Sequence, residues 1–162
     1  MHVEAIADDQ RPAATTVAFS PGDRRGRLVS DDGRVSCGLG DTATVDRAVL
    51  HELTVKALGR LRELDATAAV FELPDGVEPG LAATAIAEAC VLASYELGRF
   101  KTGDDASGQK LESVSIVGAD DSIVARAVTL AEHVNRARRL QDAPPNLLTP
   151  VALAEHAREI AV

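Results

Sequence analysis

The sequence is poor in aromatic residues and in positive charge, and both shortages exclude a class of partner. Its 162 residues include three Phe, one Tyr and no Trp, and the formal net charge is −8. Single-stranded nucleic acids are bound largely by stacking bases on aromatic rings, and duplexes by pairing Lys and Arg with phosphates. We therefore expect neither DNA nor RNA as a partner.

Long apolar runs are also missing. No stretch approaches the roughly 20 apolar residues that a membrane-spanning helix needs. The start, MHVEAIADDQ, has no basic segment followed by an apolar one, so we expect no secretory signal. With 46% hydrophobic and 26% charged residues, the composition is typical of a globular protein. A cytoplasmic protein without a membrane partner is the expectation.

Cysteine is scarce, which argues against a scaffold built on disulfides. The two cysteines, Cys37 and Cys90, are far apart and neither is part of a CxxC pair. Cys90 falls at helical spacing with Ile86, which predicts a small buried side chain. Cys37 has no neighbouring histidine in the sequence that would activate its thiol.

The first forty residues have the patterns of β-strands. Short β-leaning runs occupy residues 2–7 and 14–20. Asp32-Gly33 separates two alternating segments and predicts a hairpin, because glycine takes positive φ without strain.

After residue 40 the pattern alternates between helix and strand. We expect strands over residues 67–73 and 111–118, a helix over 79–100 and an exposed loop over 101–110. The inward residues of the first helix are expected to be Val49, Leu53, Ala57, Leu61 and Leu64, and those of the helix over 122–141 to be Ala127, Leu130, Val134 and Ala137. This order predicts an α/β fold with a mixed, largely parallel sheet flanked by helices.

The end of the chain has clear helix boundaries. Pro144 and Pro145 end the helix over 122–141, because proline lacks the N–H group and disfavours helical geometry before it. Thr149 and Pro150 suit the cap and first turn of another helix that runs on to Val162. Its inward-type residues, Leu153, Ala157 and Ile160, have no later segment to pack against.

The histidines and paired carboxylates do not form a recognisable site. His51-Glu52-Leu53-Thr54-Val55 begins like the zinc-binding HExxH motif, but Val55 replaces the second histidine. His51 is therefore interpreted as a helix-surface residue, and the isolated His2, His133 and His156 are interpreted in the same way. The pairs Asp31-Asp32 and Asp120-Asp121 lie at a turn and at a helix start, where aspartate is favoured for backbone reasons.

Two further segments leave alternatives open. Gly38-Leu39-Gly40 precedes a helix and is either a tight turn or part of a ligand-binding loop, although it lacks the third glycine of a nucleotide motif. The basic residues Arg24, Arg25 and Arg27 form either a solvated loop or a contact with an anion or a partner. We predict no catalytic, cofactor-binding or metal-binding residue in this chain.

One segment resembles a known family. Residues 135–150, NRARRLQDAPPNLLTP, and 151–157, VALAEHA, closely resemble the leucyl (cytosol) aminopeptidase family, where a linker helix ends in an N-x-A-R-x-L-x-N-x-P-x-N-x-L-T-P type sequence. Asp142 stands where that family commonly has asparagine. Residues 85–101, AIAEACVLASYELGRFK, also resemble a helix of the family.

The resemblance implies a division of the chain and a function. Residues 1–120 would form an amino-terminal domain similar to macro domains, 121–143 an interdomain linker helix, and 144–162 the first segment of an absent catalytic domain. The family removes amino-terminal residues from peptides with two divalent metals, such as zinc or manganese, and is commonly hexameric. Its ligand motifs, of the types GKGxTFDSGG and NTDAEGR, do not occur in residues 1–162. We therefore expect a chain without cofactor that is inactive alone, whose partners are its own catalytic domain and further copies.

Two alternatives belong to other functional classes. One is a free-standing macro-like module that binds a nucleotide such as ADP-ribose at residues 37–41. The other is a protein that joins aminopeptidase oligomers without chemistry of its own.

Overall fold

The structure is a computed structural model that describes residues 1–95 and 111–160. The described chain forms strands β1 His2–Ile6, β2 Thr15–Pro21, β3 Leu28–Asp31, β4 Arg34–Gly40, β5 Ala68–Glu72 and β6 Ser113–Val117. Its α-helices are α1 Arg47–Glu63, α2 Pro79–Ala93, α3 Asp121–Asp142 and α4 Pro150–Ile160. The loop predicted over 101–110 lies outside the described residues, as do residues 161 and 162. None of the described helices is long and apolar enough to cross a membrane.

The strands form one sheet in the order β1-β6-β5-β2-β4-β3. All neighbours are parallel except β3 and β4, which pair antiparallel. Asp32 and Gly33 connect these two strands with φ angles of 37° and 74°, the positive values that tight hairpin turns require. The predicted hairpin and the predicted mixed, largely parallel α/β sheet are both confirmed.

The core lies between one face of the sheet and a layer of helices. In this layer α2 packs against α1 on one side and α3 on the other. Nine side chains of α2 are buried, and five of them are alanine, which lets the neighbouring helices approach closely. Ala82, Ala83, Ala85, Ile86 and Cys90 are fully buried. Because side chains alternate along a strand, the sheet places one set against the helices: Val17, Phe19, Val35, Cys37, Leu39, Phe71, Val114 and Ile116.

Helix α1 follows the prediction except at its end. The Asp46 carboxylate accepts a hydrogen bond from the Val49 amide at 2.8 Å and caps the helix. Leu53, Ala57 and Leu61 are buried and Val49 is half-buried. Leu64 was predicted to face inward and is 44% exposed. That prediction is wrong because the helix ends at Glu63, so Leu64 no longer follows its face.

Helix α3 turns a different face inward from the one predicted. Leu130 and Val134 are 53% and 45% exposed and Ala137 is also exposed, so only Ala127 of the predicted row is buried. The row that packs inward is Val124, Ala127, Ala131 and Asn135. The alanines of this row allow α3 to approach α2 closely, whereas the larger apolar residues lie on a second, outer row.

Helix α2 ends earlier than predicted. Its last residue is Ala93, and the Ser94 hydroxyl donates to the Val91 carbonyl at 2.7 Å in place of a further turn. The predicted extension from residue 96 to 100 lies outside the described residues. Helix α4 begins as predicted, since Thr149 Oγ1 accepts from the Ala152 amide at 3.2 Å.

Candidate functional site at the junction of α2, α3 and α4

Side chains from other helices cap the carboxyl end of α2. The last carbonyl groups of a helix have no partner within it and attract donors and cations. Here Asn135 Nδ2 donates to the Val91 carbonyl at 2.7 Å, and Arg138 Nη1 reaches the Leu92 carbonyl at 3.4 Å. On the α1 side, Arg62 Nη2 donates to the Ala93 carbonyl at 2.7 Å. The end of α2 is thereby fixed between α1 and α3.

Tyr95, just beyond α2, extends this arrangement to the end of α3. The Arg138 guanidinium lies 5.7 Å from the centre of the Tyr95 ring, a cation–π distance. The Tyr95 hydroxyl donates a hydrogen bond to the Asp142 carboxylate, and this bond raises the pKa of the tyrosine. Arg138 also donates to Asn135 Oδ1 at 3.2 Å. We call Tyr95, Asn135, Arg138 and Asp142 the junction cluster.

A second set of contacts joins α3 to α4. Arg136 Nη2 donates to Glu159 at 2.6 Å, and His156 Nδ1 lies 3.4 Å from the same carboxylate. The His156 side chain, interpreted from the sequence as a surface or helix-face group, is 41% exposed and lies beside this carboxylate. An open pocket of about 470 Å³ lies beside these contacts. It is lined by the end of α3, the connecting segment and one residue of α4: Arg136, Arg139, Leu140, Ala143, Leu147, Leu148 and His156.

Large apolar side chains remain exposed around this junction. On α3 they are Leu130 and Val134, and none of the residues of α4 is buried. We call the exposed residues Leu130, Val134, Leu147, Val151, Leu153 and Ile160 the outer apolar surface; each is between 45% and 67% exposed. Single exposed apolar residues are common, whereas several large ones on two helices joined by the Arg136–Glu159 ion pair make these helices a candidate site of interaction.

The other predicted candidates are scattered across the molecule. His51 is half-buried on α1, and His2 and His133 are exposed on β1 and α3. Asp31 and Asp32 lie at the β3–β4 turn. Among residues 1–95 and 111–160, no three His, Cys, Asp or Glu side chains come together as metal ligands would.

Asp120 and the two cysteines have structural surroundings. The Asp120 carboxylate accepts from the Ser122 hydroxyl and from the amides of Ser122 and Ile123, and these bonds lower its pKa. It therefore caps α3. Burial raises the pKa of the Cys37 thiol to about 11 and also raises the pKa of the Cys90 thiol. Neither thiol is activated as a nucleophile.

The loop between β2 and β3 occupies the backbone amides of the Gly38-Leu39-Gly40 segment. The Gly38 and Gly40 amides donate to the carbonyls of Arg27 and Asp23 at 2.8 Å and 2.9 Å. A phosphate would need these amides free. A Cβ atom on Gly38 would lie 2.1 Å from the Arg24 carbonyl oxygen, so the loop is in direct contact. The alternative of a nucleotide-binding module at residues 37–41 gains no support.

Of the basic loop, Arg25 has a defined structural contact. Its Nε donates to the Leu39 carbonyl at 3.3 Å, and its side chain also reaches Thr44. Arg24 and Arg27 are exposed. The loop therefore packs back on β4 through Arg25 and through its own carbonyl groups.

Residues 35–104 match the family model of the cytosol aminopeptidase family, N-terminal domain. A probable cytosol aminopeptidase from Microcystis aeruginosa is 35% identical over 127 residues, which are 76% of this chain and 26% of that protein. A relative with the same description from Synechococcus sp. (strain JA-2-3B'a(2-13)) is 32% identical over 139 residues, 78% of this chain and 27% of its own length. This chain carries the amino-terminal domain of the cytosol aminopeptidase family. It spans about a quarter of the length of these curated relatives.

Solved structures share this fold. The bottromycin maturation enzyme BotP superposes with a TM-score of 0.77 at 26% identity, covering 92% of this chain and 37% of BotP. A structure of that enzyme in complex with Mn superposes with a TM-score of 0.76 at 25% identity, covering 92% and 36%. A tomato leucine aminopeptidase mutant has a TM-score of 0.72 at 22% identity, covering 99% and 42%, and supports the fold alone.

The aminopeptidase-like sequence 135–150 therefore has a structural explanation. Asn135 and Arg138 of this segment contact the last carbonyls of α2, and Asp142 contacts Tyr95 just beyond it. Sequence analysis singled out the segment but not these contacts, because they join residues more than 40 positions apart. The signal that was available is the spacing of Asn135, Arg138 and Asp142, which lie three and four positions apart on one side of a helix.

Proposed function

We propose that this chain is the non-catalytic amino-terminal part of a metal-dependent leucyl aminopeptidase, serving to position and assemble the enzyme. Residues 1–120 would form the amino-terminal domain, 121–143 the linker helix and 144–162 the first segment of the catalytic domain. The two divalent metals, Zn or Mn, and the peptide substrate would bind to the catalytic domain, and the enzyme would be a hexamer in the cytoplasm. No catalytic, cofactor-binding or metal-binding residue is proposed in this chain.

The outer apolar surface is the observation that carries this proposal. It includes Leu130 and Val134 of the linker helix and Val151 and Ile160 of α4, all of them exposed. Covering such side chains stabilises a protein by about 25 cal/mol per Å² of apolar surface removed from water. The residues of the outer apolar surface precede and follow the aminopeptidase-like segment 135–150 in the chain. This placement supports a role in contacting the catalytic domain or a neighbouring copy.

The first test measures activity and metal binding of the 162-residue chain. We expect no hydrolysis of leucine p-nitroanilide with either Mn²⁺ or Zn²⁺, and no tight site for these ions by calorimetry. The Microcystis aeruginosa relative, purified in parallel, is the positive control for the assay. Metal-dependent turnover by the pure chain would contradict the proposal.

The second test asks whether the outer apolar surface takes part in assembly. This chain would replace the matching amino-terminal quarter of the Microcystis aeruginosa relative, and light scattering would give the mass of the chimera. We expect Leu130→Glu with Val134→Glu to reduce the assembled mass, whereas Thr129→Glu, a neighbouring exposed change, should not. An unchanged mass with both glutamates present would mean that this surface is not an interface.

A further inference from the structure

The last two turns of α3 have no buried residue. The helix packs into the domain through Val124, Ala127, Ala131 and Asn135, but residues 136–142 are exposed or half-exposed. Helical turns without buried side chains open readily, because tertiary burial supplies most of helix stability. Polar contacts must therefore decide how this end of α3 is held.

These contacts converge on the residue that follows α2. Arg138 lies over the Tyr95 ring and reaches the Leu92 carbonyl, while Asp142 accepts the Tyr95 hydroxyl proton in a hydrogen bond. Asp142 is the last residue of α3, and Ala143 and Pro144 follow it directly. The contact between Tyr95 and Asp142 therefore ties the point where the chain leaves α3 to the end of α2.

The same end of α3 is connected to α4. Arg136 donates to Glu159 at 2.6 Å, and His156 lies beside that carboxylate. The direction of α4 thus depends on how the last turns of α3 are oriented, since α4 has no buried residue of its own.

We infer that Tyr95 and Asp142 form a latch that sets the direction in which residues 143–160 leave the domain. The phenol donates and the carboxylate accepts, and Arg138 holds the ring in place from above. The latch is a property of this chain alone, so it goes beyond the proposed function and is tested without a catalytic domain.

The test measures a distance between α1 and α4 in the 162-residue chain. Spin labels on Ala48→Cys and Ala157→Cys would report it, since both positions are exposed. Cys37 and Cys90 are buried, and the unsubstituted chain serves as the labelling blank. We expect a narrow distance distribution that Tyr95→Phe broadens, because phenylalanine keeps the ring but loses the hydroxyl donor.

Two further variants separate the hydrogen bond from general loosening. Asp142→Asn keeps an oxygen acceptor and should preserve the narrow distribution. Gln141→Ala alters the neighbouring exposed residue and should also preserve it. Amide exchange over residues 139–142 should become about threefold faster in Tyr95→Phe, the effect of losing one exposed hydrogen bond.

The outcomes decide the inference in either direction. An unchanged distribution in Tyr95→Phe would overturn it, as would an equal broadening in Gln141→Ala. Asp142→Ala, which removes the acceptor, should broaden the distribution as Tyr95→Phe does, and a narrow distribution in that variant would also overturn the inference. Broadening in Tyr95→Phe and Asp142→Ala, with narrow distributions in Asp142→Asn and Gln141→Ala, would establish the latch.

Discussion

Asn135 of α3 donates its side-chain amide to the carbonyl oxygen of Val91 at 2.7 Å, in the last turn of α2. The donor residue is only 5% exposed, so this polar contact is made inside the helix layer. It joins two helices that also pack through small side chains such as Ala127 and Ala131 of α3. The hydrogen bond thereby fixes the position of α3 along α2, which apolar packing alone defines less sharply.

Replacing Asn135 by alanine should destabilise the domain by about 1 kcal/mol, the usual net contribution of one hydrogen bond, because the Val91 carbonyl keeps the Ser94 hydroxyl as a donor. Urea denaturation followed by circular dichroism measures the free energy of unfolding. Gln141→Ala, an exposed change on the same helix, is the matched control and should have little effect. Equal stabilities of Asn135→Ala and the control would show that the hydrogen bond contributes nothing.

The ion pair between α1 and α2 should contribute to stability because one partner is buried. Glu88 is 6% exposed, and Arg47 Nε donates to its Oε2 at 2.9 Å. Arg47→Ala leaves that carboxylate without its partner and should cost about 1–3 kcal/mol in free energy of unfolding. The exposed pair of Lys56 and Glu52 on α1 provides the comparison.

Lys56→Ala should have a much smaller effect than Arg47→Ala, since both members of its pair face solvent. Added salt should weaken the Lys56 contact more than the Arg47 contact, because buried charges are screened less. If Lys56→Ala lowered the free energy of unfolding as much as Arg47→Ala does, burial of Glu88 would not explain the strength of the Arg47 contact.

Two glycine substitutions should have opposite effects. A Cβ on Gly38 would lie 2.1 Å from the Arg24 carbonyl oxygen, so Gly38→Ala forces the loop away and should destabilise by about 3 kcal/mol. Gly59, within α1, has no atom within 4 Å of a built Cβ. Gly59→Ala should stabilise by about 0.5–1 kcal/mol, the usual helical preference for alanine.

Thermal and urea unfolding of both glycine variants measure these differences. The Gly59 variant also controls for the general effect of alanine on the unfolded chain. A tolerated Gly38→Ala would mean that residues 22–27 do not need their close contact with β4.

Stability should fall with pH in the alkaline range because of Cys37. Burial raises the pKa of its thiol from 9.0 to about 11, so between these values the folded state retains a proton that the unfolded state has lost. This contribution is complete below pH 9 and is lost as the pH rises through 11. Cys37→Ala should therefore show a shallower decline in unfolding free energy between pH 9 and pH 11.

The rate of reaction with Ellman's reagent provides a second readout of the thiols. Both Cys37 and Cys90 are buried, so they should react slowly in the native protein and rapidly in urea. An identical pH dependence of stability in Cys37→Ala and the parent would show that the Cys37 thiol titrates normally in the fold.

Local patterns predicted much of the fold. The Asp32-Gly33 hairpin and the start of α4 at Thr149-Pro150 follow from backbone preferences of a few adjacent residues. The alternation of helix and strand predicted the largely parallel sheet. These features depend on short stretches of chain, which is why the sequence alone was sufficient for them.

Features that depend on distant contacts were predicted less well. Leu130 and Val134 were assigned to the core because hydrophobic spacing identifies an apolar row without identifying its neighbour. Helix α3 has two such rows, and the small side chains of Ala127 and Ala131 proved to fit against α2. The capping of α2 by Asn135 and Arg138 was missed for the same reason, because the sequence of one helix does not indicate which helix packs against it.

The second apolar row of α3 has a thermodynamic consequence. The first apolar row of α3 belongs to the domain core. A protein or domain that binds to the second row would therefore contact a helix that is itself part of the core. Melting of the core would then release that protein or domain, and its binding would raise the melting temperature of the core. Wherever Leu130 and Val134 are covered, heating should therefore reveal one shared transition in place of two separate ones.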